Sequence, residues 1–473
     1  MNNKLFFLDQ HGCAKNQIDG ELIIGHLAKD GWVRTDEPQK ASLIIVNSCG
    51  FIESAKTESI NSVIQARLQF PKAKILLAGC LAERYQEKFA SSFEEADGFL
   101  GNGDISLVRQ AVKELEQGKR PTIKASQYGV CTGERPEFLS FAGSAYVKIT
   151  EGCNNRCSFC AIPLIRGELR SRSIEEITAE IRILLLRGIF EINLIGQDLA
   201  SYGKDFEPCK PAYKATDKTT KNNSNRTKDS SSMLAKLLES ISNIEGNFWL
   251  RLLYIHPDNF PEDLIDTIKK DSRILPYFDI PFQSGDDKII LKMNRHGNAS
   301  AYKALVSKIR KELPKAVLRT TFLVGFPGET EQNFSNTLEF LKDIEPDWAG
   351  CFAYSLEEDT PAQKFKNLVS ERNIKKRCMM LENIQQKITE KRLAKHRNEK
   401  CDVLIEEIVP FKEGEEIGFV IGRTWFQAPE VDGASVISYD VTNPNQVSKI
   451  KIGARIFVCI SSVRGVDIEG FML

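Results

Sequence analysis

The chain has 473 residues, 42% of them apolar and 27% charged, with 64 basic residues balanced by 64 acidic ones. The composition is that of a folded globular protein, and the length exceeds one ordinary hydrophobic core, so roughly three domains are expected. Zero net charge gives no long-range pull toward nucleic acid or membrane, and no run approaches the ~18–20 apolar residues of a bilayer span.

Residues 1–13 carry one lysine and a short apolar run broken by Asp9, too little for a secretory leader. A cytoplasmic location with no membrane partner is expected. In that reducing setting, the twelve cysteines read first as metal ligands or reactive thiols. Over residues 1–135, strand-like runs at 5–8, 43–46 and 75–78 alternate with helical spacing at 20–29 and 54–69, as in a parallel α/β domain. From 140 to 369 the rhythm repeats six times. Strands are expected at 145–150, 191–195, 249–254, 277–280, 317–324 and 351–354, with helices such as 173–186, 261–270, 299–313 and 330–341 between them. Six such units suit an incomplete β/α (TIM-like) barrel with its chemistry on the carboxyl-end loops. A polar, low-complexity stretch at about 206–232, most marked over 214–232, reads as a disordered insertion. A basic connecting helix over 370–400 and short glycine-punctuated strands over 401–473, a small OB-like β-barrel, complete an α/β multidomain chain.

Cys153, Cys157 and Cys160 form CxxxCxxC in EGCNNRCSFCAIP, directly after an expected strand. Three thiolates on one loop can hold three irons of a 4Fe-4S cube and leave the fourth iron open to a small chelator such as S-adenosylmethionine. Structural zinc sites more often use paired CxxC knuckles, and no second knuckle is present. Cys13, Cys49 and Cys80 share no local motif, but each follows an expected strand: LFFLDQHGC, LIIVNSC and KILLAGC. In a parallel sheet those ends lie on one edge, so three distant thiols would converge there. The competing view is that cysteine is simply a common buried residue. Cys131, Cys209, Cys351, Cys378, Cys401 and Cys459 show no shared pattern, and Cys351 and Cys459 read as core. GQD at 196–198 and GFPGETE at 325–331 end two barrel strands and offer backbone groups and carboxylates at the barrel mouth, with Glu329 and Glu331 suited to a helix amino end.

Taken together the chain resembles the methylthiotransferase family of radical S-adenosylmethionine enzymes. The resemblance rests on GCAKNQIDGE, VNSCGF and AGCLAE, then on EGCNNRCSFCAIPLIRGELRSR, GQDLASYG, IPFQSGDDKIILKMNR and LVGFPGETE, and on a terminal barrel like the family's TRAM domain. It implies a radical-generating 4Fe-4S cluster on Cys153, Cys157 and Cys160, and an auxiliary 4Fe-4S cluster on Cys13, Cys49 and Cys80. It further implies S-adenosylmethionine, held in part by Gln197 and Asp198, as both radical source and methyl donor. No catalytic side chain beyond the cluster ligands is implied. A low-potential electron donor such as flavodoxin or ferredoxin and a sulfur donor are implied as partners.

Family members act either on a modified adenosine beside the transfer-RNA anticodon or on an aspartate β-carbon of the small-subunit ribosomal protein numbered twelve. Residues 401–473 hold eleven acidic residues against six basic ones, a net charge of −5. RNA-binding modules are basic, so this barrel suits a basic ribosomal protein. GRTWFQAPEVDG resembles the same branch. The basic helix leaves RNA contact open without favouring it. A carrier or electron-transfer iron–sulfur protein is the non-enzymatic alternative, against which the missing fourth cysteine at both sites argues.

Overall fold

The computed structural model describes residues 4–206, 231–410 and 414–473. Most of the expected insertion, with Cys209, lies outside the described residues. The first sheet is six-stranded: β1 (Leu5–Gln10), β2 (Val33–Arg34), β3 (Leu43–Ser48), β4 (Lys74–Gly79), β5 (Gly98–Leu100) and β6 (Thr122–Ile123), in the order β2-β1-β3-β4-β5-β6 with every neighbour parallel. The run LIIVNS is buried at every position, as a strand covered on both faces must be. Three helices lead away from the carboxyl ends of β1, β3 and β4: α1 (Ala14–Ala28), α2 (Glu53–Gln69) and α3 (Cys80–Ser92). The first starts six residues earlier than its apolar spacing suggests. Its opening turns carry the buried polar residues Lys15, Asn16, Gln17 and Asp19, which interrupt the hydrophobic period. The short strands β2, β5 and β6 carry too few apolar residues to stand out in sequence.

The second sheet holds β7 (Ser144–Lys148), β10 (Glu191–Ile195), β11 (Trp249–Leu252), β12 (Ile274–Asp279), β13 (Val317–Val324) and β14 (Trp348–Ala353), all parallel, in the order β14-β13-β12-β11-β10-β7. This is an open β/α barrel. Between β7 and β10, a small antiparallel pair, β8 (Thr150–Glu151) and β9 (Arg170–Ser171), brackets the cysteine loop. Thr150 therefore belongs to this pair and not to the long strand expected over 145–150. The helix after the barrel, Glu371–Leu393, ends earlier than 400. A 3-10 turn at Ala394–His396 follows, and Lys400 already opens the next strand.

That strand, β15 (Lys400–Val409), closes a barrel with β16 (Ile417–Thr424), β17 (Ser435–Asp440), β18 (Arg455–Arg464) and β19 (Asp467–Met472), the last not foreseen. The segment GRTWFQAPEVDG docks this barrel onto the open β/α barrel. Arg423 donates to Glu191 (2.6 and 3.1 Å), Arg251 to the Trp425 carbonyl (2.9 Å), Trp348 Nε1 to the Phe426 carbonyl (2.9 Å) and the Tyr277 hydroxyl to Asp432 (2.6 Å). Glu191 is fully buried between Arg423 and Arg251. Burial pushes its carboxyl up, but the two guanidinium groups outweigh that and hold it down at about 2. Glu406 and Asp432 are likewise turned inward, against Arg423 and Arg319, so part of the barrel's acidic count never reaches its surface. Among the described residues, no helix is long and apolar enough to cross a membrane.

Candidate active site

Cys153, Cys157 and Cys160 lie on the loop between β8 and β9, at the carboxyl end of the barrel's first strand. Gly152 precedes them at φ +73°, where an added Cβ would meet the Glu168 carbonyl oxygen at 2.0 Å, so the turn into the loop requires glycine. The Cys157 amide oxygen accepts from the Cys160 N–H, and the Ile162 N–H points to the Cys160 sulfur at 3.5 Å. His256 Nε2 stands 3.8 Å from the Cys157 sulfur. His256 Nδ1 accepts from the Asp258 N–H, which leaves the proton on Nε2, so the ring faces the thiol as a donor and not as a ligand. Burial, helped by Arg295, lowers its pKa to about 4, so the ring is neutral at pH 7. Burial pushes Cys153 up to about 11 and pushes Cys160 up as well, with Cys157 adding to both.

Cys13, Cys49 and Cys80 stand at the carboxyl ends of β1, β3 and β4, and the sheet brings them together as the strand-end argument expects. Cys13 caps α1, and Cys80 is the first residue of α3. Both are placed at helix amino ends, which favour a thiolate. Cys13 is open to solvent although protein surrounds it. Burial raises its pKa, but Lys15 and Arg166 reverse that and leave the thiol below its ordinary value. Cys49, by contrast, is pushed up to about 12 by burial and by the neighbouring Cys80 and Cys13.

Among the described residues, no three histidine, cysteine or acidic side chains converge closely enough to share one metal ion. A 4Fe-4S cube takes one thiolate at each of its irons, and three thiols without a fourth protein donor would leave one iron free. Both donor sets fit that group.

The two trios face one another through side chains that sequence inspection assigned no role. Lys15 donates to the Gly196 carbonyl (3.2 Å) at the end of β10, and its ammonium lies 3.8 Å from the centre of the Tyr254 ring. Lys148 bridges Asp19 on α1 and Glu151 on β8, both at 2.7 Å. Arg166, just past the cysteine loop, donates to Asp19 (2.7 Å), Glu151 (3.2 Å) and the Cys80 sulfur (3.1 Å). Two cations and two carboxylates thus form a buried, charge-balanced joint between the first two domains. Each charge there depends on its partners for compensation.

Gln197 donates to Glu151 (3.2 Å), while its carboxamide oxygen is buried without a partner, as is the hydroxyl of Thr150 beside Gly196. Asp198 differs. Its two oxygens accept from the N–H groups of Ala200 and His256, the Ser201 hydroxyl, and the amides of Asn155 and Asn259. Five donors saturate a carboxylate with about four lone-pair sites, so Asp198 pins the cysteine loop to the loops after β10 and β11. In GFPGETE, Glu329 and Glu331 are both taken by Arg377 of the helix after the barrel, at 2.7 Å each, and Glu329 also accepts from the Gly325 N–H at the strand end. Cys351 and Cys459, expected in the core, are half-buried: one lies on the sheet's edge strand, the other on the outward-facing row of a barrel strand. Cys401 is the buried one. The neighbouring Cys378 and burial push the Cys351 thiol well above its ordinary value.

Three family models match the chain: Uncharacterized protein family UPF0004 over residues 5–101, the Radical SAM superfamily over 147–341, and the TRAM domain over 399–472. The Ribosomal protein uS12 methylthiotransferase RimO of Treponema denticola is 48% identical over 95% of this chain and 98% of its own. The protein of the same name from Dictyoglomus thermophilum is 37% identical over 97% of each. Among solved structures, the radical S-adenosylmethionine methyltransferase TsrM of Kitasatospora setae superposes with a TM-score of 0.51 at 13% identity, over 76% of this chain and 75% of that one, a likeness of fold.

Proposed function

The chain belongs to the family of ribosomal protein uS12 methylthiotransferases, and from that premise we propose that it places a methylthio group on the β-carbon of an aspartate in ribosomal protein uS12. The observation that carries this reading is the arrangement of two separate trios of cysteines at one barrel mouth, each suited to a 4Fe-4S cluster with an open iron. We assign the radical cluster to Cys153, Cys157 and Cys160, and the auxiliary cluster to Cys13, Cys49 and Cys80. With S-adenosylmethionine bound, these groups supply hydrogen abstraction at the first site and sulfur and methyl delivery at the second.

The chain's own residues do the positioning. Asp198 holds the cysteine loop against the loops after β10 and β11. The unpartnered Gln197 carboxamide oxygen and Thr150 hydroxyl are the acceptors we assign to S-adenosylmethionine, with Asp198 acting through the loops that it ties. Lys15 and Arg166 put positive charge beside the auxiliary thiols, where an anionic sulfur ligand is favoured. We divide the chain into residues 1–135 for sulfur delivery, 140–369 for radical chemistry, 370–400 as a connector and 401–473 for grip on the basic substrate. A low-potential flavodoxin or ferredoxin and a sulfur donor complete the reaction, in the reducing cytoplasm.

The test is anaerobic turnover of the cluster-reconstituted chain with uS12 peptide and with adenosine-modified transfer RNA, products read by mass. One methylthio group on a peptide aspartate is the expected result. Modification of the RNA alone would move the chain to the other branch.

A further inference from the structure

Arg166 lies at the end of the short helix Ile162–Ile165, directly behind Cys160, yet it reaches across the domain joint to the other cysteine trio. Its side chain is 3% exposed. A buried guanidinium is costly unless its N–H groups are met. Here Asp19, Glu151 and the Asn16 carboxamide (3.4 Å) take three, and the Asn102 carboxamide, turned to satisfy both its ends, takes Nε–H at 3.2 Å. The remaining acceptor is the Cys80 sulfur at 3.1 Å. A neutral thiol is a weak acceptor, whereas a thiolate is a strong one.

We propose that Arg166 is a positioning residue of the auxiliary site: its hydrogen bond and charge orient the Cys80 thiolate for iron and set the reduction potential of the cluster held there. Hydrogen bonds to cluster sulfurs and local charge are among the main determinants of such potentials. The inference rests on reading both trios as cluster ligands. It adds a direct link from the loop that carries one trio to a ligand of the other.

The test uses the full chain with Cys153, Cys157 and Cys160 replaced by alanine, so that auxiliary iron is observed alone. The cluster is reconstituted anaerobically and titrated with dithionite under electron paramagnetic resonance. Arg166→Gln is expected to move the potential to more negative values and to change the reduced spectrum, with Arg166→Lys in between. Lys148→Met breaks the same ion network without touching a thiol, so it should shift the potential clearly less. An unchanged potential and spectrum in Arg166→Gln, or an equal shift in Lys148→Met, would overturn the proposal. Should Arg166→Gln not fold, Arg166→Lys decides alone, and a spectrum identical to the parent's would count against it. A parent that holds no auxiliary iron overturns the cluster reading along with the proposal. A parent that holds it and ignores Arg166 overturns only the proposal.

Discussion

Cys153, Cys157 and Cys160 come from one short loop, whereas Cys13, Cys49 and Cys80 are gathered from three strand ends by a parallel sheet. Their surroundings differ as much as their origins. The loop trio is met by a backbone N–H and a neutral histidine, and among the described residues no cation donates to its sulfurs. The strand-end trio is met by Arg166 and Lys15. A site made by local spacing needs only a strand end to carry it. A site made by convergence needs the sheet and a compensated charge on the far side of a domain joint, so its chemistry depends on docking. Of the two, only the strand-end trio should respond to a change in the neighbouring domain.

The largest effect is expected from Cys157→Ala, which should abolish S-adenosylmethionine cleavage, measured as 5′-deoxyadenosine. Residual cleavage at the parent rate would break the assignment of the radical site. Next come the glycines that open each site. Gly152→Ala drives a Cβ against the Glu168 carbonyl at φ +73° and should cost roughly 1–3 kcal/mol in strain at the loop, with iron lost from the radical site first. Gly12→Ala meets a softer contact, its Cβ 3.2 Å from the Cys49 Cβ, but carries the same kind of backbone strain at φ +90°, and should lower auxiliary iron alone. Iron counted in each single-trio chain checks both. If each glycine variant lowered iron at both sites equally, the two sites would not be separate structures.

A fourth change lies outside both trios. Glu191→Gln leaves Arg251 buried without a counter-charge and Arg423 with Glu406 alone, and should destabilise the chain by about 3–5 kcal/mol at neutral pH, read by denaturant unfolding. Because the folded carboxyl is held at about 2, below its ordinary 4.5, its stabilising contribution is present above about 4.5 and is lost as pH falls through about 2. The gap between parent and variant should therefore narrow across that window. A constant gap would mean that Glu191 acts through packing and not through charge.

The parallel sheets and the placing of six cysteines just past strand ends were legible because they follow from short-range pattern: apolar runs and helix spacing; strand limits were less so, β12 and β14 each beginning three residues before the expected 277 and 351. Arg166, Lys15 and Asp19 were in plain view within the motifs, but a charged residue has no role until its partner is known, and these partners lie across a domain joint. The same limit explains Asp198, a carboxylate at the barrel mouth that looks free in sequence and is saturated in the fold. It also explains GRTWFQAPEVDG, which pointed to the right branch while serving to plug one barrel into another. The strand Asp467–Met472 was missed because its glycine and acidic residues break the apolar alternation that marked the others.

The division of labour between the trios is tested most directly in Cys49→Ala, given S-adenosylmethionine, reductant and uS12 peptide under anaerobic conditions. The account predicts that 5′-deoxyadenosine still forms while no methylthiolated aspartate appears. Loss of cleavage together with thiolation would contradict it, and would mean that the two trios work as one site.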